Sequence, residues 1–175
     1  MDLPSAGLGG PSSQDYPNRL ILERKGCVVV LEKIVIRRMK TTDAQAIGKI
    51  DAAIEKRLTL LDFKQIVSEE LKRREDASYV AEIKGKVVGF MISYITYGNF
   101  GADRCAWIAR FGVNPKLMGQ GIGKRLAEEI FKVYKEKGVT EIFTSVRWDA
   151  TDILSFFKTL GFERSNFINL WKKIE

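Results

Sequence analysis

Three glycines at alternate positions, Gly119, Gly121 and Gly123, join an apolar stretch at residues 105–113 to a pattern of helical period that begins near Ile122. No other run constrains the fold as much. The stretch before it reads as a strand. Behind it Leu126, Ile130, Val133 and Tyr134 recur at helical spacing, and Gly138 is placed to end the helix. A loop this rich in glycine has a physical use. The first turn of a helix carries N–H groups without internal partners and a partial positive charge. Glycines let the chain before it curl, with no Cβ in the way, so that several N–H groups converge. The product is a cradle for phosphate, and Lys124 and Arg125 add full positive charge beside it.

Three known cradles can be laid on this run. The Walker loop requires Gly-x-x-x-x-Gly-Lys-Ser/Thr; counted back from Gly123-Lys124, its first glycine falls on Met118 and its hydroxyl residue on Arg125. The Rossmann fingerprint Gly-x-Gly-x-x-Gly puts its third glycine on Leu126 or Lys124, and it belongs early in a βαβ unit. The third cradle fits. Val113, Pro115, Gly119, Gly121, Gly123 and Leu126 match Val-x-Pro-x-x-(Arg/Gln)-Gly-x-Gly-x-Gly-x-x-Leu. The run therefore resembles the pyrophosphate loop of the GNAT superfamily of N-acetyltransferases. One position departs, because Met118 stands where Arg or Gln is usual. Such a loop binds mostly through backbone N–H groups, so the departure implies weaker anchoring rather than loss of a site. The plain alternative is a glycine-rich strand-to-helix turn with no ligand.

Residues 1–19 are rich in Pro, Ser and Gly and read as a flexible tail; they lack the basic start and apolar core of a secretory signal. Residues 20–32 form an N-terminal extension, read as a hairpin, an added strand or an arm packed on a second subunit. The main domain is expected over residues 33–175. Residues 33–38 read as its first strand, and Thr42-Asp43-Ala44-Gln45 is a capping-box pattern before a helix with Ala46, Ile47, Ile50 and Ile54 on its apolar face. Residues 58–61 link to a second helix at 62–74, with Phe63, Ile66, Val67 and Leu71 inward and Glu69/Arg73 and Glu70/Arg74 as exposed pairs. Strands follow at 78–83 and 86–97, joined by a turn at Lys84-Gly85, then a loop over 97–103 and the strand at 105–113. After the central helix come a strand at 141–147, a short helix capped by Asp149 and ended by Gly161, and two closing strands at 162–164 and 168–174. The order β-α-α-β-β-β-α-β-α-β-β is that of the resembled GNAT fold. It is an α/β (α+β) domain with a mixed central sheet of about six to seven strands flanked by about four helices. A second signature agrees: Phe156-Phe157-Lys158-Thr159-Leu160-Gly161-Phe162 resembles the family's (Leu/Phe)-Tyr-x-x-x-Gly-Phe element.

The resemblance implies a site. In the family the strand before the loop splays from its neighbour, and the pantetheine arm of acetyl-CoA lies in the wedge, pairing with strand backbone. Carried onto this chain, Phe111, Gly112 and Val113 supply that backbone, and the Val113 N–H polarises the acetyl carbonyl as its oxygen gains charge. Met118, Gly119, Gln120, Gly121, Ile122, Gly123 and Lys124 would hold the pyrophosphate. Asp149, or Ala150, lies where members commonly place an Asn on the cofactor arm; Asp149 reads first as a helix N-cap, a role compatible with the other. Phe157 stands where members often have a Tyr that gives a proton to the leaving thiolate. Phe packs against the arm but donates nothing, a loss on the order of 10²–10⁴ in rate unless water or another residue substitutes. Many members carry a carboxylate near the position of Ala109 or Arg110, and this chain has none between Asp103 and Glu128. The candidates for a base are Asp103, Glu82, and Tyr94 or Tyr97 acting through water, each also suited to a surface or packing role. Arg110 either faces the acceptor groove and binds an acidic group or is solvated.

Composition narrows the chemistry. The 175 residues include no histidine and two cysteines, Cys27 and Cys105. His-dependent triads and most transition-metal sites are thereby excluded, no metal is expected, and the base must be Asp, Glu, Tyr, a Cys thiolate or ordered water. The formal net charge of +7 suits a polyanionic ligand such as coenzyme A. Basic residues are not interleaved with aromatics in a stripe, so nucleic acid is not the expected partner. No apolar run approaches the ~18 residues that cross a bilayer, and the expectation is a cytoplasmic protein with no membrane partner. The function implied is transfer of acetyl from acetyl-CoA to a primary amine of a small molecule or protein by direct attack. The rival is a non-catalytic acyl-CoA-binding sensor or scaffold, motivated by the missing Tyr and carboxylate. A homodimer, paired through residues 20–31 or the late strands, is consistent with the resemblance.

Overall fold

The computed structural model describes residues 19–24, 27–56, 61–73 and 77–174, with side chains from residue 33 onward. The expected tail, most of the link at 58–61 and the Arg74 half of one ion pair lie outside these residues. β1 (Arg19–Arg24) and β2 (Cys27–Glu32) pair antiparallel from Arg19↔Glu32 to Arg24↔Cys27, a two-stranded sheet that realises the hairpin reading of this extension.

Among the described residues the main sheet has five strands in the order β3 (Val35–Arg38), β4 (Tyr79–Ile83), β5 (Lys86–Asn99), β6 (Ala102–Val113) and β7 (Ile142–Thr144). All neighbours are antiparallel except β6 and β7, which run parallel. Alternation along the strands sorts side chains to two cores. Val80, Phe90 and Ile92 pack with α1 (Ala44–Glu55) and α2 (Phe63–Lys72) on one face. Tyr79, Ala81, Met91, Ala106 and Ile108 pack with α3 (Ile122–Glu136) on the other, where α4 (Thr151–Thr159) contributes Phe157. The mixed α/β class expected from the sequence holds.

α3 is the central helix of that second core. Ile122, Leu126, Ala127, Ile130 and Tyr134 are at most 1% exposed, and each large one contributes roughly 1.5–3 kcal/mol by burial. The Tyr134 hydroxyl donates to Ser93 Oγ (3.0 Å), which donates in turn to the Ala77 carbonyl (2.8 Å), so this polar group costs little to bury. α3 and α4 end alike. Val139 N–H donates to the Tyr134 carbonyl and Phe162 N–H to that of Phe157, across Gly138 at φ 73° and Gly161 at φ 84°.

Several expectations are corrected. The helix-opening carboxylate at α1 is Asp43, not the pattern begun by Thr42: a 3₁₀ turn at Thr41–Asp43 precedes α1, and Asp43 accepts the Lys40 N–H (2.8 Å) and the Arg37 guanidinium (2.7 and 2.8 Å). Arg73 pairs with Glu70 (3.1 Å), the residue after the expected Glu69, which accepts from Gln65 instead. The loop expected over 97–103 is a two-residue hairpin. Phe100 (φ 56°) and Gly101 (φ 74°) have the positive φ of primed turns. Phe100 tolerates it because its ring stacks on Trp107 (5.4 Å) and Phe143 (4.5 Å). The strand expected at 141–147 stops at Thr144, where its partner strand bulges. Residues 162–164 and 168–174 are not strands, so the sheet has five strands rather than six to seven. Strand propensity expresses fit to a half-buried pleated surface, and this segment lies on none: Leu170 is 93% and Ile174 89% exposed.

Candidate functional site

The parallel strands β6 and β7 part company midway. They pair at Ala106↔Ile142, Trp107↔Phe143 and Ile108↔Thr144, and the Thr144 hydroxyl donates to the Ile108 carbonyl (3.0 Å) at the last rung. On the other side β6 pairs Ile108 with Ser93 but Arg110 with Ile92, leaving Ala109 as an extra bulged residue. A bulge bends its strand and ends regular pairing. From Arg110 to Val113, β6 continues against β5 alone.

The free edge of β6 has a defined polarity. Asn114 N–H donates to the Val88 carbonyl of β5 (2.8 Å). N–H groups alternate sides along a strand, so Phe111 and Val113 direct theirs away from β5, into the gap. Gly112 faces α1 instead: a Cβ there would lie 2.7 Å from Ile54 Cδ1.

The glycine loop sits at the end of that edge. Asn114 Oδ1 accepts the Lys116 N–H (3.0 Å) and starts a 3₁₀ turn at Pro115–Leu117. Met118 is exposed, and Gly119 and Gly121 have φ of 79° and 76°. The first intrahelical bond of α3 runs from Arg125 N–H to the Gly121 carbonyl (3.0 Å). The N–H groups of Ile122, Gly123 and Lys124 therefore precede any intrahelical acceptor. A Cβ at Gly119 or Gly121 would meet no heavy atom within 4 Å, so the space beside these amides is open. At Gly123 it would come 3.1 Å from the Phe156 ring. A cradle of convergent, unobstructed amides beside a free strand edge is what a pyrophosphate on an extended arm requires. The residues fit acetyl-CoA on that test. Gln120 is exposed on the loop, and exposed Lys124 makes a 3.8 Å ion pair with Glu128.

Aromatic side chains wall the gap on the α3 side. Phe111 stacks on Phe156 (5.5 Å) and meets Phe157 edge-on (5.1 Å), and Phe157 meets Phe162 (4.9 Å). Phe157 is buried and carries no proton to give. Asp149 does not cap α4, whose N-cap is Ala150; its carboxylate accepts from Arg147 Nε (2.9 Å), and that hydrogen bond holds its carboxyl below the ordinary range.

Of the four residues named as bases, Tyr94 pairs with Trp107 and lies under the Arg73 guanidinium (4.2 Å), and the other three lie elsewhere. Asp103 is six residues before Ala109 on β6, roughly 20 Å along an extended strand. Tyr97 pairs with Arg104, which donates to the Lys137 carbonyl (2.8 Å) at the far end of α3 from the glycine loop. Glu82 is bound to Arg37 (2.6 and 2.9 Å), two strands from β6. Cys105 is buried, and that burial, with the charge of Glu141, pushes its thiol up, away from a thiolate. The carboxylate nearest the free segment of β6 in the described contacts is one the sequence reading passed over, Asp51 of α1, 3.4 Å from Arg110 Nη1. The signal was there. Asp51 is four residues after Ile47 and three before Ile54, a charged residue in the apolar stripe.

Among the described residues no helix is long and apolar enough to cross a membrane, and no group of His, Cys, Asp or Glu is arranged to hold a metal. The sequence pattern of the Acetyltransferase (GNAT) family matches residues 45–162. An uncharacterised N-acetyltransferase of Methanocaldococcus jannaschii is 30% identical over 107 residues, 59% of this chain and 46% of that protein. This chain thus spans just under half the length of that relative. An N-alpha-acetyltransferase of Sulfurisphaera tokodaii is 29% identical over 136 residues, 73% of this chain and 79% of the relative. Among solved structures, AAC(6')-Iy in complex with the bisubstrate analogue CoA-S-monomethyl-acetylneamine superposes with a TM-score of 0.71 at 20% identity, over 82% of this chain and 99% of the other. At that identity the likeness speaks for the fold.

Proposed function

Because this chain belongs to the acetyltransferase (GNAT) family, a family of acetyl-CoA-dependent acyltransferases, we propose that it moves the acetyl group of acetyl-CoA to a primary amine by direct attack. The observation that carries this reading is the parting of β6 from β7 after Ile108 and Thr144, next to a loop where Gly119 and Gly121 adopt positive φ beside open space at the start of α3. In this reading the pantetheine arm enters the gap and pairs with Phe111 and Val113. The Val113 N–H donates to the acetyl oxygen as negative charge develops on it. Gly119 to Lys124, with Met118 and Gln120, hold the pyrophosphate through their amides and the positive end of α3. Phe111, Phe156 and Phe157 exclude water beside the arm, and Asp149 with Arg147 forms its rim. Proximity of amine and thioester supplies much of the rate. The acceptor is an amine of a peptide or a small molecule, in keeping with the N-alpha-acetyltransferase relative and the acetylneamine analogue bound by AAC(6')-Iy.

A second reading has one observation in its favour. Phe157 buries an apolar ring where a proton donor would serve the leaving thiolate, which suits a binder of acyl-CoA that senses or scaffolds without turnover. Release of CoA separates the two. With acetyl-CoA and a panel of primary amines (a peptide with a free N-terminal alanine, neamine, sisomicin and spermidine), an enzyme releases CoA in an amine-dependent manner. A binder is protected from unfolding by acetyl-CoA and releases none. If neither acetyl-CoA nor CoA protects while ATP or NAD does, both readings fail.

A further inference from the structure

Resting on the reading just given, the geometry points to Asp51 as the carboxylate that receives the acceptor amine, with Arg110 as the cation that occupies it meanwhile. Asp51 is 8% exposed, and the one polar contact described for it is the 3.4 Å approach of Arg110 Nη1. Charge-assisted hydrogen bonds are normally about 2.7–2.9 Å, and a buried carboxylate is costly to the fold unless it is closely paired. The same helix shows the satisfied case at its start, where Asp43 is held by Arg37 and the Lys40 N–H at 2.7–2.8 Å. Asp51 therefore keeps acceptor capacity that the protein itself does not use.

Its partner is equally under-committed. The Arg110 side chain is 37% exposed, lies 5.8 Å over the Phe63 ring, and spends one of its five N–H donors on the Asp51 contact. An exposed cation on a long stem is free to swing away when another cation arrives.

Arg110 follows the bulged Ala109, at the point where β7 has left β6. One turn beyond Asp51, Ile54 covers Gly112, which lies between the two residues whose N–H groups enter the gap. Asp51 thus lies on the α1/α2 face, above the segment whose edge would take the acetyl end. α3 and the phosphate loop lie on the opposite face. An amine arriving from the α1/α2 face meets this carboxylate beside the thioester. At neutral pH it arrives mostly as ammonium, the form that displaces Arg110. In the step itself, the amine nitrogen bonds to the acetyl carbon and the C–S bond breaks. Asp51 takes a first proton from the ammonium, which frees the nitrogen lone pair for the attack, and a second as the amide forms; both pass on to solvent, and the departing CoA thiolate takes one proton back from solvent.

The test uses the full chain with the same four amines, reading CoA release and, separately, protection by acetyl-CoA. Asp51→Asn should keep the acetyl-CoA protection of the wild type and lose on the order of 10²–10⁴ in kcat/KM for the amine. Asp51→Glu should recover part of that loss. Arg110→Gln should lose less than tenfold, because Arg110 only holds the place. Asp51→Asn within threefold of wild type, or Asp51→Asn and Arg110→Gln falling together, makes the pair a structural one and overturns the inference. A wild type protected by acetyl-CoA that acetylates none of the four overturns it as well. Absence of protection in the wild type sinks the cofactor reading instead, a different result from either.

Discussion

Gly121 allows backbone geometry and ligand chemistry to be separated. Its φ is 76°, and a Cβ built on it would meet no heavy atom within 4 Å. Alanine there costs about 1 kcal/mol of left-handed strain and nothing in packing. In a chain of this size that lowers the unfolding midpoint by about 2–4 °C. Glutamate carries the same strain, so the unliganded midpoint should fall by the same amount. Its carboxylate, however, stands among the free amides of Ile122, Gly123 and Lys124. Two like charges about 4 Å apart repel by about 4 kcal/mol at an effective dielectric of 20. Acetyl-CoA at about a hundred times its dissociation constant stabilises by about 2.7 kcal/mol, a shift of about 5–10 °C. The repulsion exceeds the binding term. Gly121→Glu should therefore show no acetyl-CoA shift, whereas Gly121→Ala keeps most of it. Differential scanning fluorimetry with and without acetyl-CoA reads both. If Gly121→Glu keeps more than half of the wild-type shift, phosphate does not sit in this loop. If it falls far below Gly121→Ala without ligand, the side chain meets protein rather than open space.

Other expected outcomes concern the scaffold. Burial alone would push the Asp43 carboxyl up, but hydrogen bonds from Arg37 and the Lys40 N–H, with the charge of Arg37, outweigh it and leave it below its ordinary value. A carboxyl lowered in the folded state lends stability above its unfolded value of about 3.9 and loses it as pH falls through the folded one. The urea midpoint should drop below about pH 4, and Asp43→Asn should flatten that acid limb; an unchanged limb would contradict the ion-pair account. Tyr134→Phe removes the hydroxyl bonded to Ser93 Oγ and should cost about 1–2 kcal/mol in urea unfolding. A cost near zero would mean the buried network is not coupled to stability. Phe157→Tyr places a hydroxyl in an aromatic cluster only 3% exposed and should destabilise by about 1–3 kcal/mol; a neutral outcome would show room for the proton donor that the ring displaces.

The site was more legible than the frame around it. Gly119, Gly121, Gly138 and Gly161 all adopt the positive φ for which glycine is suited. These are local effects, written in a few adjacent residues. What escaped was decided between distant segments. Phe100 holds a left-handed turn because Trp107 and Phe143 stack on it. β7 is short because the bulge at Ala109 removes its partner. The closing residues alternate like a strand, yet Ile168 and Leu170 have no surface to lie on. Asp51 was visible as a charge within an apolar stripe, but its nearness to Arg110, 59 residues later, is a tertiary fact. Asp103 lies on the same strand but at its opposite end, and Tyr97 pairs with Arg104 there, so neither reaches the free edge.

If the outward amides of β6 hold the cofactor, amide hydrogen exchange of the full chain changes at those positions when acetyl-CoA is added. Phe111 and Val113 N–H should exchange more slowly when acetyl-CoA binds, together with Ile122, Gly123 and Lys124. Asn114, whose N–H is already bonded to the Val88 carbonyl, should change little. Slowing confined to other strands, with Phe111 and Val113 unaffected at saturating acetyl-CoA, would contradict that placement of the cofactor.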